Sequence, residues 1–126
     1  MKAPPGFRAG QTYASYRLKR QVTFREAIDL IATAISFARE NNIRRLFVDS
    51  TKLTGFEPPD TVERFRMAVQ FASAADSRVK VALLGRAELI DHDRFGVTVA
   101  RNRGLLVDVF ETEADALAWL LDPKGA

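Results

Sequence analysis

The sequence contains no cysteine and only one histidine, His92. The first absence excludes a disulfide framework and a thiol nucleophile, and it suits a reducing cytoplasm. The second leaves a single imidazole for metal or acid/base chemistry. No segment approaches the roughly eighteen consecutive apolar residues that a membrane-spanning helix requires. The opening stretch, MKAPPGFRAG, lacks the apolar core of a signal peptide. A G-x-G-x-x-G turn and a G-x-x-x-x-G-K-[ST] loop are missing, and with them the usual cradles for dinucleotides and nucleoside triphosphates. There is no G-x-S-x-G elbow either. Charge of one sign is scarce as well. The 19 Lys and Arg against 16 Asp and Glu leave a net charge of +3, and a nucleic-acid footprint would need that charge clustered. These absences predict a cytoplasmic chain with no membrane span, no metal, no cofactor and no nucleic-acid partner.

What is present is an ordinary globular composition, with 47% hydrophobic and 28% charged residues, in a length that fits one domain over residues 1–126. Residues 12–20 alternate, with Ala14, Tyr16 and Leu18 on one face, and predict a half-buried strand over Tyr13–Leu18. Thr23 and Glu26 form a capping box, after which Phe24, Ile28, Ile31, Ile35 and Ala38 recur at helical spacing. Arg45–Asp49 reads as a short strand. A second capping box, Asp60 with Glu63, follows Pro58-Pro59 and opens a helix whose buried stripe is read as Val62, Phe65, Val69 and Ala72. Val79–Leu84 has the unbroken apolar character of a strand covered on both faces. A helix is expected over Asp91–Arg103 with Phe95 and Val99 inward and Gly104 in a left-handed end position. A strand over Leu105–Phe110 follows, then a Thr112-capped helix bearing Leu117, Leu120 and Leu121. Strands alternating with helices predict an α/β domain with a mainly parallel, four- to five-stranded sheet and crossover helices.

The most informative segment is 46–65, LFVDSTKLTGFEPPDTVERF, where an apolar strand stops at Asp49, a polar loop follows and a capped helix begins. Sheets with helices on their faces bind ligands beyond the carboxyl ends of their strands, so this loop is the first place to look for function. Several tempting residues have plain structural explanations. Asp91, His92 and Asp93 suit a helix start better than a metal or acid/base site. Arg101 and Arg103 before Gly104 suit a helix end, with anion contact as the alternative. Asp49, Asp60 and His92 would form an acid/base set only if the loops after successive strands converged. Met67 and Phe71 fall away from the expected stripe and suggest a second apolar side on that helix, for a partner or a ligand.

Phe47-Val48-Asp49, Leu53-Thr54-Gly55-Phe56, Glu63-Arg64-Phe65, Arg94-Phe95-Gly96 and Ala118-Trp119-Leu120, taken in order with their strands and helices, resemble the SpoIIAA-like family, related to STAS domains and anti-sigma factor antagonists. The resemblance covers about residues 10–121. It implies a non-enzymatic regulatory module that binds a protein partner through the sheet-end loop, with Asp49, Ser50, Thr54, Asp60 and Thr61 as the candidate switch residues. It also implies the possibility of a homodimer. In anti-sigma factor antagonists a hydroxyl at the start of the following helix is phosphorylated. Here Asp60-Thr61 stands in place of the family's Asp-Ser, followed by Val62 and Glu63 where Ser and Gly would stand. SpoIIAA-like domains also resemble the SEC14-like lipid-binding fold, which implies a different occupant: a small lipophilic ligand held against Phe65, Met67 and Phe71, with Arg101 or Arg103 facing an anionic head group.

Overall fold

The computed structural model describes residues 2–91 and 93–123. Five strands form the main sheet: β1 (Phe7–Ala9), β2 (Ala14–Arg17), β4 (Arg45–Asp49), β6 (Lys80–Leu84) and β7 (Val107–Phe110), in the order β1-β2-β4-β6-β7. β1 pairs antiparallel with β2, and every other pairing in this sheet is parallel. Two short strands, β3 (Arg20–Gln21) and β5 (Leu53–Thr54), pair in parallel just beyond the carboxyl ends of β2 and β4. The helices are α1 (Phe24–Glu40), α2 (Thr61–Ala75), α3 (Phe95–Asn102) and α4 (Glu113–Leu120). The α/β class with a mainly parallel sheet is as the periodicities predict; β1, β3 and β5 are too short to leave a periodic trace.

The parallel strands are added in one direction across the sheet, so crossovers of one hand put α1, α2 and α3 on the same face. Alternation along each strand then sorts the side chains. Leu46, Val48 and Val81 join Ile28, Ile31, Ile35 and Phe71 beneath those three helices, while Phe47, Ala82 and Leu84 pack on the other face against Ala116 and Leu120 of α4. Both central strands are thus covered on both faces, which explains their unbroken apolar runs. Both capping boxes are present: Thr23 with Glu26, and Asp60 with Glu63.

Three expectations are corrected. The buried face of α2 is Ala68, Phe71, Ala72 and Ala75, whereas Val62 and Phe65 are 58% and 42% exposed. Alanines at i, i+4 and i+7 around Phe71 at i+3 let α2 approach its neighbours closely, while Val62 and Phe65 turn outward. Secondly, α3 begins at Phe95 rather than Asp91. The Asp91 carboxylate accepts hydrogen bonds from the backbone N–H of Asp93 (3.2 Å) and Phe95 (3.0 Å), and Arg94 takes a left-handed φ of 54°, which sets the helix start after it. Thirdly, the last strand starts at Val107, and Leu121 beyond α4 is exposed. Gly104 does adopt the expected positive φ, 91°. A Cβ there would lie 2.6 Å from Ser77 Oγ, so the position admits only glycine without movement.

Candidate functional site

The loop after β4 is tied down over residues 49–54 and again at Asp60. Asp49 Oδ1 accepts from the backbone N–H (3.0 Å) and hydroxyl (2.6 Å) of Thr51, and its Oδ2 accepts from Arg17 (3.4 Å). Ser50 donates its hydroxyl to the Leu84 carbonyl at 2.8 Å, knitting the loop to the end of β6. The Thr54 carbonyl accepts from Val22 N–H (2.7 Å) and the Lys52 carbonyl from Arg20 N–H (3.2 Å), which is the β3–β5 pairing. Gly55 then turns with φ 102°, where a Cβ would meet the Val22 carbonyl oxygen at 2.7 Å. Asp60 spends its carboxylate on Glu63 N–H (2.8 Å), and Glu63 returns a bond to Asp60 N–H (3.0 Å). Thr61 is exposed at the first position of α2. Of the five predicted switch residues, Asp49, Ser50 and Asp60 spend their side chains on structural bonds, Thr54 pairs through its backbone with an exposed side chain, and the Thr61 side chain is exposed.

Arg17 anchors the neighbouring edge. Its guanidinium grips the Glu113 carboxylate through two bonds of 2.8 and 3.1 Å, reaches Asp49, and lies over the Phe47 ring at 4.9 Å. The hydrogen bond from Arg17 holds the Glu113 carboxyl below its ordinary value, and the same bond raises Arg17. β2, β4 and the first turn of α4 are joined at this one cation.

Beneath the tied-down loop lies a cavity of about 120 Å³, lined by Ile28 and Ile31 of α1, Phe56 and Pro59 of the loop, Met67 and Phe71 of α2, and Leu83 of β6, among others. Phe56 is held by an edge contact with Phe24, ring centroids 5.6 Å apart. Leu89, Ile90 and Val97 close the far side, and Gly96 keeps α3 close: a Cβ built there would sit 3.5 Å from Met67 Cε. The polar groups on the lining are few: Ser50, Arg64, Asp91 and Arg94. Arg64 donates to the Leu89 carbonyl at 3.3 Å, and Arg94 pairs with Asp108.

The sequence-level candidates divide here. Met67 and Phe71 line the cavity. Phe65 does not; it faces outward beneath Arg103, whose guanidinium carbon is 5.6 Å from its ring centre. Arg101 donates to the Val107 carbonyl at 3.0 Å and lies 3.5 Å from Asp108, so neither Arg101 nor Arg103 serves the cavity. The cations that do, Arg64 and Arg94, were within reach of sequence reasoning: Arg64 sits one turn ahead of the Ala68, Phe71, Ala72, Ala75 stripe. His92 lies outside the described residues. Among the described residues no group of three or more His, Asp or Glu is placed to hold a metal ion, and no helix is long and apolar enough to cross a membrane.

No protein-family model and no curated protein match this sequence. Among solved structures, the chain is similar to an uncharacterised protein of the DUF3478 family from Shewanella loihica PV-4, described as having a SpoIIAA-like fold, with 20% identity over 91% of this chain and 90% of that one and a TM-score of 0.48.

Proposed function

We propose that this chain is a non-enzymatic regulatory module that binds a protein partner at the carboxyl end of its sheet, taking one apolar side chain of that partner into the cavity between the 50–59 loop and α2. The observation that carries the reading is the volume of that cavity, about 120 Å³. Sites for drug-sized ligands run from about 300 to 1,000 Å³, whereas a void of about 150 Å³ accepts a benzene ring. The space suits one large apolar side chain. Burying such a group is worth roughly 1.5–3 kcal/mol, the scale of an interface anchor. Arg64 and Arg94 at the lining supply the few polar groups that would fix orientation. The hydrogen bonds of Asp49 and Asp60 support binding over catalysis, because each carboxylate is already committed to the local backbone.

Selection of random displayed peptides on the immobilised protein tests this. Enriched peptides are expected to share one large apolar residue, and Gly96→Leu, which fills the cavity beside Met67, is expected to remove their binding. Peptides that bind the filled variant equally well would defeat the proposal. The apolar lining also favours a second reading, a small lipophilic molecule with a single ring or short alkyl chain. Native mass spectrometry of the purified protein would reveal a retained compound of that kind, lost in Gly96→Leu.

A further inference from the structure

The opposite end of the sheet carries a feature with no place in that reading. At the amino edge of the strands a groove of about 830 Å³ is lined by Arg39, Arg44, Arg45, Arg78 and Lys80, with no carboxylate among the described residues that line it. Part of this charge has a structural cause. α1, α2 and α3 all end here, and three helix C-termini present about −1.5 elementary charges. Arg39 answers one of them by donating to the Ala74 carbonyl at 3.0 Å, and it also meets Glu40 at 3.5 Å. Arg78 meets Asp76 at 3.7 Å. Lys80 is 5% exposed, and its ammonium donates to the Trp119 (2.7 Å) and Asp122 (3.2 Å) carbonyls and lies 4.5 Å from the Trp119 ring centre.

Arg44 and Arg45 remain. Neither guanidinium has a hydrogen bond or an ion pair among the described residues. Arg45 is also paired in register with Lys80 across β4 and β6, which sets two cations side by side at the sheet edge. Like charges directly opposite each other on neighbouring strands destabilise a sheet. Local rules are broken in this way mostly where function requires it.

We infer that this groove binds a ligand carrying a multiply charged phosphate group, gripped by Arg44 and Arg45 with Arg39 and Arg78 beside them. A guanidinium fork matches phosphate oxygens in a bidentate manner. A single carboxylate would bring one negative charge to a groove that has two cations unpaired among the described residues and three more on its walls. The volume falls within the range of small-molecule sites.

Calorimetric titration with tripolyphosphate at constant ionic strength tests the assignment. The wild-type chain is expected to bind; Arg45→Gln should weaken binding about tenfold, and Arg44→Gln/Arg45→Gln should abolish it. Circular dichroism and thermal melting check that both variants fold. Equal affinity in the double variant would overturn the site, and citrate binding as tightly as tripolyphosphate would overturn the phosphate. Heat no greater than that from sodium chloride would overturn both. Co-sedimentation with phosphatidic acid vesicles, in the absence of tripolyphosphate binding, would replace the soluble ligand with a membrane surface.

Discussion

Arg17 on β2 and Glu113 in the first turn of α4 meet in a two-bond ion pair across 96 residues of sequence. α4 is the helix found on its face of the sheet, where it rests on Phe47, Ala82 and Leu84 through Ala116 and Leu120. The ion pair fixes its N-terminus, and Lys80 fixes its C-terminal turn through the Trp119 carbonyl. The buried Ala116 and Leu120 hold this helix of eight residues on the sheet, and the two cationic anchors fix its ends.

The Arg17–Glu113 pair gives stability a defined acid dependence. Glu113 is held below its ordinary pKa in the folded chain, so the contribution is complete above the unfolded glutamate pKa of about 4.3 and is lost as the pH falls through the lower folded value. Both side chains are half-exposed, which limits the pair to roughly 0.5–1 kcal/mol. Glu113→Gln is expected to lower stability by that amount at pH 7 and by less at pH 3. Urea denaturation at the two pH values measures it, and an equal loss at both would show that the charge is irrelevant.

The start of α2 separates capping from switching. Asp60→Ala removes the side-chain acceptor for Glu63 N–H and is expected to cost about 1 kcal/mol. Thr61→Glu places a charge where the helix N-terminus favours it, by roughly 0.3–1 kcal/mol, but beside the carboxylates of Asp60 and Glu63, and the net change is expected to stay within about 0.5 kcal/mol. Thermal melting of the two variants distinguishes them. A Thr61→Glu protein that melts lower than Asp60→Ala would mean that negative charge at this position unfolds the helix start, as a phosphorylation switch would.

How far the sequence carried this picture varies with the kind of signal. Capping boxes are local, and Thr23 with Glu26 and Asp60 with Glu63 are found as written. Strand β4 was legible to the residue because Asp49 ends an apolar run. The face of α2 was misread because Val62, Phe65 and Val69 are larger than the alanines that are buried, and burial there follows helix spacing rather than side-chain size. Ala68, Phe71, Ala72 and Ala75 already stood at the right intervals. The cavity could not be read, since Phe56, Met67 and Leu83 come from a loop, a helix and a strand that only the tertiary fold brings together. The switch-like loop was visible as a position, but its rigidity depends on bonds to Val22 and Leu84, far away in sequence.

The corrected face of α2 makes Phe65, rather than Phe71, the residue whose substitution reports on assembly. Phe71 is 2% exposed in the core, so Phe71→Glu is expected to cost about 4 kcal/mol or more and to leave little folded protein. Phe65→Glu should change stability by less than about 1 kcal/mol, the loss being its contact with Arg103. Light scattering on Phe65→Glu then reads self-association without the confusion of unfolding. A dimer in the wild-type chain that becomes monomeric in Phe65→Glu would place the contact on this face; a Phe71→Glu protein as stable as wild type would refute the assignment of the buried stripe.

Arg45 and Lys80 make the least intuitive prediction, that removing an arginine stabilises the fold. The Lys80 ammonium is held below its ordinary pKa first by burial and then by Arg45, against the attraction of Asp122. Its folded pKa lies below the unfolded one, so charged Lys80 costs stability at neutral pH, and the cost disappears as the pH rises through the folded value toward the unfolded one. Arg45→Gln removes the repulsion but not the burial. It is expected to raise stability by roughly 0.2–0.5 kcal/mol at pH 7 in low salt. The gain should shrink in 0.5 M salt, by screening, and again at alkaline pH, as Lys80 loses its charge. Urea denaturation at pH 7 and pH 10 with and without salt tests each step. A loss of stability at pH 7 in low salt would show that Arg45 has a favourable partner within the fold, and with it the grounds for seeking an anionic ligand at this edge would go.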